Sequence, residues 1–109
     1  MAYNQELTKR IRTLLIHHRG VEEKKMFGGV GFLLNGNMAC GVYKEDLIVR
    51  LDPQRSEDAL AKPHIQPFRM GGRTMAGWIT VSPQGCKKDE DLKKWIREGI
   101  AHAGSLPPK

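Results

Sequence analysis

Residues 4 to 18 place Leu7, Ile11, Leu14, Leu15 and His18 at i, i+4, i+7, i+8 and i+11. That spacing draws one stripe along a helix, with Lys9, Arg10 and Arg12 off it. Asn4 stands where an N-cap belongs, because its side chain accepts from a free backbone N–H. Gly20 stands where a left-handed residue ends a helix. The period then changes to two. Val30 to Leu34, Met38 to Tyr43 and Leu47 to Leu51 read as three strands, with the β-rich stretch starting between Lys25 and Gly29. Asn35-Gly36-Asn37 supplies the positive φ of a tight hairpin, and Lys44-Glu45-Asp46 turns the chain again. Connections this short predict an antiparallel meander. Alternation puts Val30, Phe32 and Leu34 on one face of the first strand. Met38, Cys40 and Val42 share a face of the second, and Leu47, Val49 and Leu51 share one of the third, each to be covered by helices.

Pro53 ends the third strand, and Ser56 to Ala61 reads as a short helix capped by Ser56 or Asp52. Pro63 and Pro67 break up the next ten residues, and Gly71-Gly72 forces a turn. Thr74 to Val81 is a strand with Met75, Gly77, Ile79 and Val81 on one face and Trp78 on the other. A short strand from Phe68 to Met70 pairs with it across the glycines. Asp89, Glu90 and Asp91 favour a helix start. Leu92, Trp95, Ile96, Gly99, Ile100 and Ala103 trace its apolar face, and Gly104 stops it ahead of a short tail. The predicted fold is α+β in two layers, an antiparallel sheet packed by helices in the order α-β(3)-α-β(2)-α. The 109 residues make a single domain, 1–109, with 103–109 as the tail.

Charge changes this picture only in part. The net charge of +6 suits an acidic partner, nucleic acid included. The basic residues are nevertheless scattered, and acidic ones interrupt them, as in Lys87-Lys88-Asp89-Glu90-Asp91. Neither Cys40 nor Cys86 belongs to a CxxC pair, and Cys40 falls in an apolar strand, where a buried thiol is the expectation. The polar N-terminus and the lack of a long apolar run predict a cytoplasmic protein that does not enter the membrane.

The motifs carry little chemistry. Gly28-Gly29-Val30-Gly31 lacks the GxxxxGK[ST] pattern and does not run from strand to helix, so a bulge or close backbone approach explains it better than a phosphate loop. His17 and His18 point about 100° apart on a helix, and His64 and His102 stand alone, so no metal is expected. No cofactor and no catalytic residue is assigned. The stacking residues are Phe27, Phe32, Tyr43, Phe68, Trp78 and Trp95, with Phe32 and Trp95 better explained as core. Lys25, Arg50, His64 and Arg73 each flank an apolar or glycine-containing segment and form the candidate anion- or partner-binding set, provided that the fold converges them.

The run Lys25-Met26-Phe27-Gly28-Gly29-Val30-Gly31-Phe32-Leu33 resembles the opening of the TfoX/Sxy N-terminal domain. The likeness continues through Asn35 to Val42, Leu47-Ile48-Val49-Arg50, Pro63-His64, Gly72 to Trp78, Leu92-x-x-Trp95 and Ser105-Leu106-Pro107-Pro108. The resemblance implies a secretion-chaperone-like fold with the same order of elements, here as a stand-alone, single-domain member. In longer members this domain precedes a helical one, and those proteins regulate competence with the cyclic-AMP receptor protein at promoters. The chain departs from many members in carrying Leu47-Ile48-Val49 where they have a tyrosine. The family supplies no catalytic set. The expectation is a non-enzymatic regulatory or adaptor domain that binds a protein partner, as a monomer or homodimer. Direct nucleic-acid binding and a small-anion binder or enzyme using Arg50, His64 and Arg73 are the alternatives.

Overall fold

The computed structural model describes residues 3–26, 28–70 and 72–108. Helix α1 (Gln5–Leu15) is capped by Asn4, whose side-chain oxygen accepts from the Leu7 N–H at 3.0 Å. Leu7, Thr8, Ile11 and Leu15 are buried, so the stripe holds as far as Leu15. The helix ends there, earlier than its pattern suggests, and His18 lies beyond it.

Four strands come next, not three: β1 (Val21–Met26), β2 (Gly29–Leu34), β3 (Asn37–Tyr43) and β4 (Asp46–Arg50). Strand β1 reads Val-Glu-Glu-Lys-Lys-Met and shows no apolar alternation, because it is an edge strand. Charge on an edge blocks pairing with foreign strands and erases the hydrophobic signal. Arg12 of α1 ties it down with two hydrogen bonds to Glu23, at 2.7 and 2.6 Å. The same bonds hold the Glu23 carboxyl below its ordinary pKa.

Helix α2 (Pro53–Leu60) is capped by Asp52, with Pro53 in its first turn. Strands β5 (Ile65–Met70) and β6 (Arg73–Val81) succeed it, then a 3-10 turn over Pro83–Cys86 and helix α3 (Asp89–Ser105). Strand β5 is longer than the Phe68–Met70 segment expected, and it accommodates Pro67 because it is the other edge. Helix α3 runs through Gly104 to Ser105, and Asn37 donates to the Pro107 carbonyl at 2.9 Å, laying the tail against the sheet.

All pairings are antiparallel, in the order β1-β2-β3-β4-β6-β5. The fold is therefore α+β, of the class expected, with the order α-β(4)-α-β(2)-α. One cross-strand row runs Lys25, Val30, Val42, Leu47, Val81, Ile65 from edge to edge. It lies on the helix-covered face. Val30, Phe32, Cys40, Val42, Leu47, Val49, Ile79 and Val81 join Leu7, Ile11, Ala59, Leu92, Trp95 and Ile96 in one core. Gly99 of α3 rests directly on the Ala39 carbonyl, an approach that leaves no room for a Cβ.

Two methionines sit on the opposite face from the one that strict alternation assigns. In β3 the register passes from Phe32↔Cys40 to Leu33↔Met38. Ala39 is thus an extra residue, a bulge that turns Met38 away from Cys40. In β6 the pairing with β5 slips between Pro67 and Arg69, and Gly77 takes a φ of +85°. The alternation linking Ile79 and Val81 to Met75 breaks there, while Trp78 lies off the core face as expected.

Candidate functional site

The face of the sheet away from the helices is apolar at its centre, between Lys24 on one side and Thr80 and Gln66 on the other, and is unfilled there. Gly31 and Gly41 are cross-strand partners, with Ile48 next in the same row. Two adjacent glycines leave a gap without side chains, and the ends of Met26 and Met38 occupy it. A Cβ at Gly31 would lie 3.1 Å from the methyl of each. Ile48, Phe68, Met75, Trp78 and Tyr43 raise the walls of a hollow of about 170 Å³. A cavity near this size holds one benzene-sized group.

The aromatic wall is continuous. Tyr43 and Phe68 meet edge to face with centroids 6.1 Å apart, and Phe68 and Trp78 lean together at 6.1 Å. A cation caps each end. The Lys44 ammonium lies 5.5 Å from the Tyr43 centroid, and the Arg50 guanidinium lies 5.5 Å from that of Trp78. Among the described residues neither cation is in an ion pair. The carboxylates beside Lys44 are Glu45 in the β3–β4 turn and Asp46 at the start of β4. Burial, and then the neighbouring Glu45, push the Asp46 carboxyl above its ordinary pKa.

The structure does not gather Lys25, Arg50, His64 and Arg73. Arg50 stands at the rim of the hollow. Lys25 is on edge strand β1 and His64 precedes β5 at the other edge, five strand spacings or roughly 24 Å apart. Arg73 opens β6 at the end of the β5–β6 hairpin away from His64. His64 takes a left-handed φ of 68° and gives its carbonyl to the Ser82 N–H. Phe27, a candidate stacking residue, and Gly71, a candidate turn residue, lie outside the described residues. Phe32 and Trp95 are core, whereas Tyr43, Phe68 and Trp78 line the open face.

Both cysteines are buried free thiols. Burial pushes the pKa of Cys40 up to about 12 and that of Cys86 to about 11, so neither is poised as a nucleophile at neutral pH. Among the described residues no three His, Cys, Asp or Glu side chains form a metal-binding group. On the helix side, Arg55 bonds Glu98 at 2.6 Å beside Lys62, which lies over Trp95. This network joins α2 to α3.

A family model described as the TfoX N-terminal domain matches residues 13–103. The chain belongs to the TfoX N-terminal domain family. No curated protein and no solved structure matches it. The matched span of this TfoX N-terminal domain contains every residue lining the hollow, from Met26 to Trp78. The TfoX N-terminal domain is not a known enzyme family, and no helix among the described residues is long and apolar enough to cross a membrane. Sequence reasoning missed Met26, Met38, Met75 and the Gly31–Gly41 pair as a site. The available signal was a methionine beside glycines in two successive strands, which reads as ordinary core until the register is known.

Proposed function

We propose that this TfoX N-terminal domain is a non-enzymatic regulatory or adaptor module that binds a protein partner through the hollow on its open sheet face. The observation that carries this reading is the hollow itself, an apolar recess on a face that the domain's own helices do not cover. Concave apolar sites with a few polar groups at the rim are the usual form of a binding site. Three methionines line it, and their flexible, polarizable side chains adapt to an incoming group. Family membership supports a role in transcriptional regulation related to competence, in the cytoplasm.

Met75 is 38% exposed on the wall, so Met75→Glu adds charge to the hollow without burying it in the core. Arg97→Glu, on the exposed side of α3, is the control. The test is affinity capture at native abundance from cells producing each form. A partner recovered with the wild-type protein and with Arg97→Glu, but lost with Met75→Glu, is the expected result. Recovery that ignores Met75→Glu, or the absence of any reproducible partner, sinks the proposal.

The alternative of direct nucleic-acid binding draws on Tyr43, Phe68 and Trp78 beside Arg50 and Lys44. It is the weaker reading, because Phe68 is only 8% exposed and the rings spend their area on one another. Phosphate contacts would make oligonucleotide affinity fall steeply as salt rises. That slope, disturbed by Met75→Glu, would favour nucleic acid over a protein.

A further inference from the structure

We infer that the hollow receives a single apolar side chain of a peptide segment, and that this segment sets a carboxylate beside it for Arg50. The inference rests on the reading of the open face as a protein-docking surface, and it names the chemistry of the partner.

Size comes first. At about 170 Å³ the recess holds one side chain of leucine, methionine or phenylalanine size, not a helix face with several anchors. Its walls present Met26, Met38, Ile48, Met75, Phe68 and Trp78, so the incoming group must be apolar to avoid stranding a polar atom.

Charge decides what stands next to that side chain. Arg50 is half-buried on β4, opposite Trp78 in the register, and its guanidinium lies over the indole that forms part of the wall. The contact with Trp78 holds the guanidinium beside the wall, and its N–H donors are free, because among the described residues no carboxylate pairs with it. A half-buried fork of donors beside an apolar recess is complementary to a carboxylate. Lys44 at the far end of the arc has Glu45 and Asp46 beside it in sequence, so Arg50 is the cation that selects the carboxylate.

The same charges disfavour other occupants. A second copy docked face to face would bring Arg50 and Lys44 of both copies into one interface on a chain of net charge +6, without supplying a carboxylate of its own for Arg50. A nucleic-acid backbone satisfies the cations but leaves the recess empty.

A phage-displayed library of random dodecamer peptides, selected against the wild-type protein and counter-selected on Met75→Glu, tests the inference. Synthetic peptides of the enriched sequences are then measured against wild type and Arg50→Gln, each peptide also being made with its acidic residue changed to the amide. The expected peptides carry one large apolar residue with Asp or Glu within about three positions. Arg50→Gln should weaken the acidic form on the order of tenfold and leave the amide form unchanged, so that the cycle closes on one coupled pair. Peptides that depend on Met75 but show no acidic preference, or that ignore Arg50→Gln, overturn the inference and leave the docking reading standing. No enrichment over Met75→Glu overturns both. A thermal shift with sodium octanoate in the absence of any selected peptide, or a dimer in sedimentation that Met75→Glu dissociates, assigns the hollow to a small amphiphile or to a second copy and overturns the inference equally.

Discussion

The two faces of this sheet come from the same strands and are built to opposite ends. On the helix-covered face, Val30, Phe32, Cys40, Val42, Leu47, Val49, Ile79 and Val81 are each no more than 2% exposed. Branched and aromatic side chains interlock there with α1 and α3, and Gly99 touches the backbone of β3. On the open face, Gly31 and Gly41 carry no side chains, the ends of Met26 and Met38 occupy the space over them, and the hollow alongside is bordered by methionine and aromatic side chains. Apolar side chains occupy the centre of both faces, although the row of Gly31, Gly41 and Ile48 on the open one ends in Lys24 on one side and Thr80 and Gln66 on the other. The difference lies in whether the space between side chains is filled by the protein's own elements. A filled face contributes stability. An unfilled one costs some of it and keeps room for a partner.

The largest test of this contrast is chemical. Cys40 sits on the filled face with its thiol pKa pushed up to about 12, so alkylation at pH 8 must wait for opening of the core. Its rate should fall on the order of 10³-fold or more below that of the urea-unfolded chain. Fast labelling of the folded protein, read by mass spectrometry, would show that this face is not sealed. The same burial has a pH sign. The unfolded thiol ionises near its ordinary value of 9 while the folded one keeps its proton, so this contribution is complete below pH 9 and is lost as pH rises toward 12. Cys40→Ala should reduce the alkaline slope of stability.

Next in size is Phe32→Ala, which empties the centre of the filled face and should cost about 3–5 kcal/mol, read from urea midpoints. A cost below about 1 kcal/mol would mean that the core is not close-packed.

The sharpest pair compares one methyl group on each face. Gly99→Ala drives a Cβ into the Ala39 carbonyl, a backbone atom that cannot move without shifting α3, and should destabilise by about 1–3 kcal/mol. Gly31→Ala meets only the ends of Met26 and Met38, at 3.1 Å, and flexible ends give way. Its effect on stability should stay within about 1 kcal/mol, while the displaced ends of Met26 and Met38 narrow the hollow that they line and weaken partner binding. If Gly31→Ala proves the costlier of the two, the distinction between the faces fails.

Much of the fold was legible in the chain. The stripe of α1 as far as Leu15, the Asn4 cap, the hairpin at Asn35-Gly36 and the apolar face of α3 follow from local chemistry, and each appears where the pattern put it. Strand β1 was not legible, because Glu22, Glu23, Lys24 and Lys25 serve an edge and edges suppress the signal that marks strands. The candidate site was legible in Arg50 and in the stacking residues Tyr43, Phe68 and Trp78. The other cations, Lys25, His64 and Arg73, were singled out by their neighbours in sequence, and their distance apart depends on the strand order, which no local pattern contains. Met38 and Met75 were assigned to the wrong face because the alternation rule has no memory of the bulge at Ala39 or the left-handed Gly77.

The sequence by itself determined the class of the fold and most of the residues in its core, because period, caps and turn residues act within a few positions along the chain. Only the tertiary structure decided that Gly31 lies beside Gly41, that the ends of Met26 and Met38 meet over Gly31, that Met75 joins them around one hollow, and that Arg50 stands against Trp78 at its wall. Those meetings are set by register and strand order, and register is fixed by the packing of the whole filled face at once.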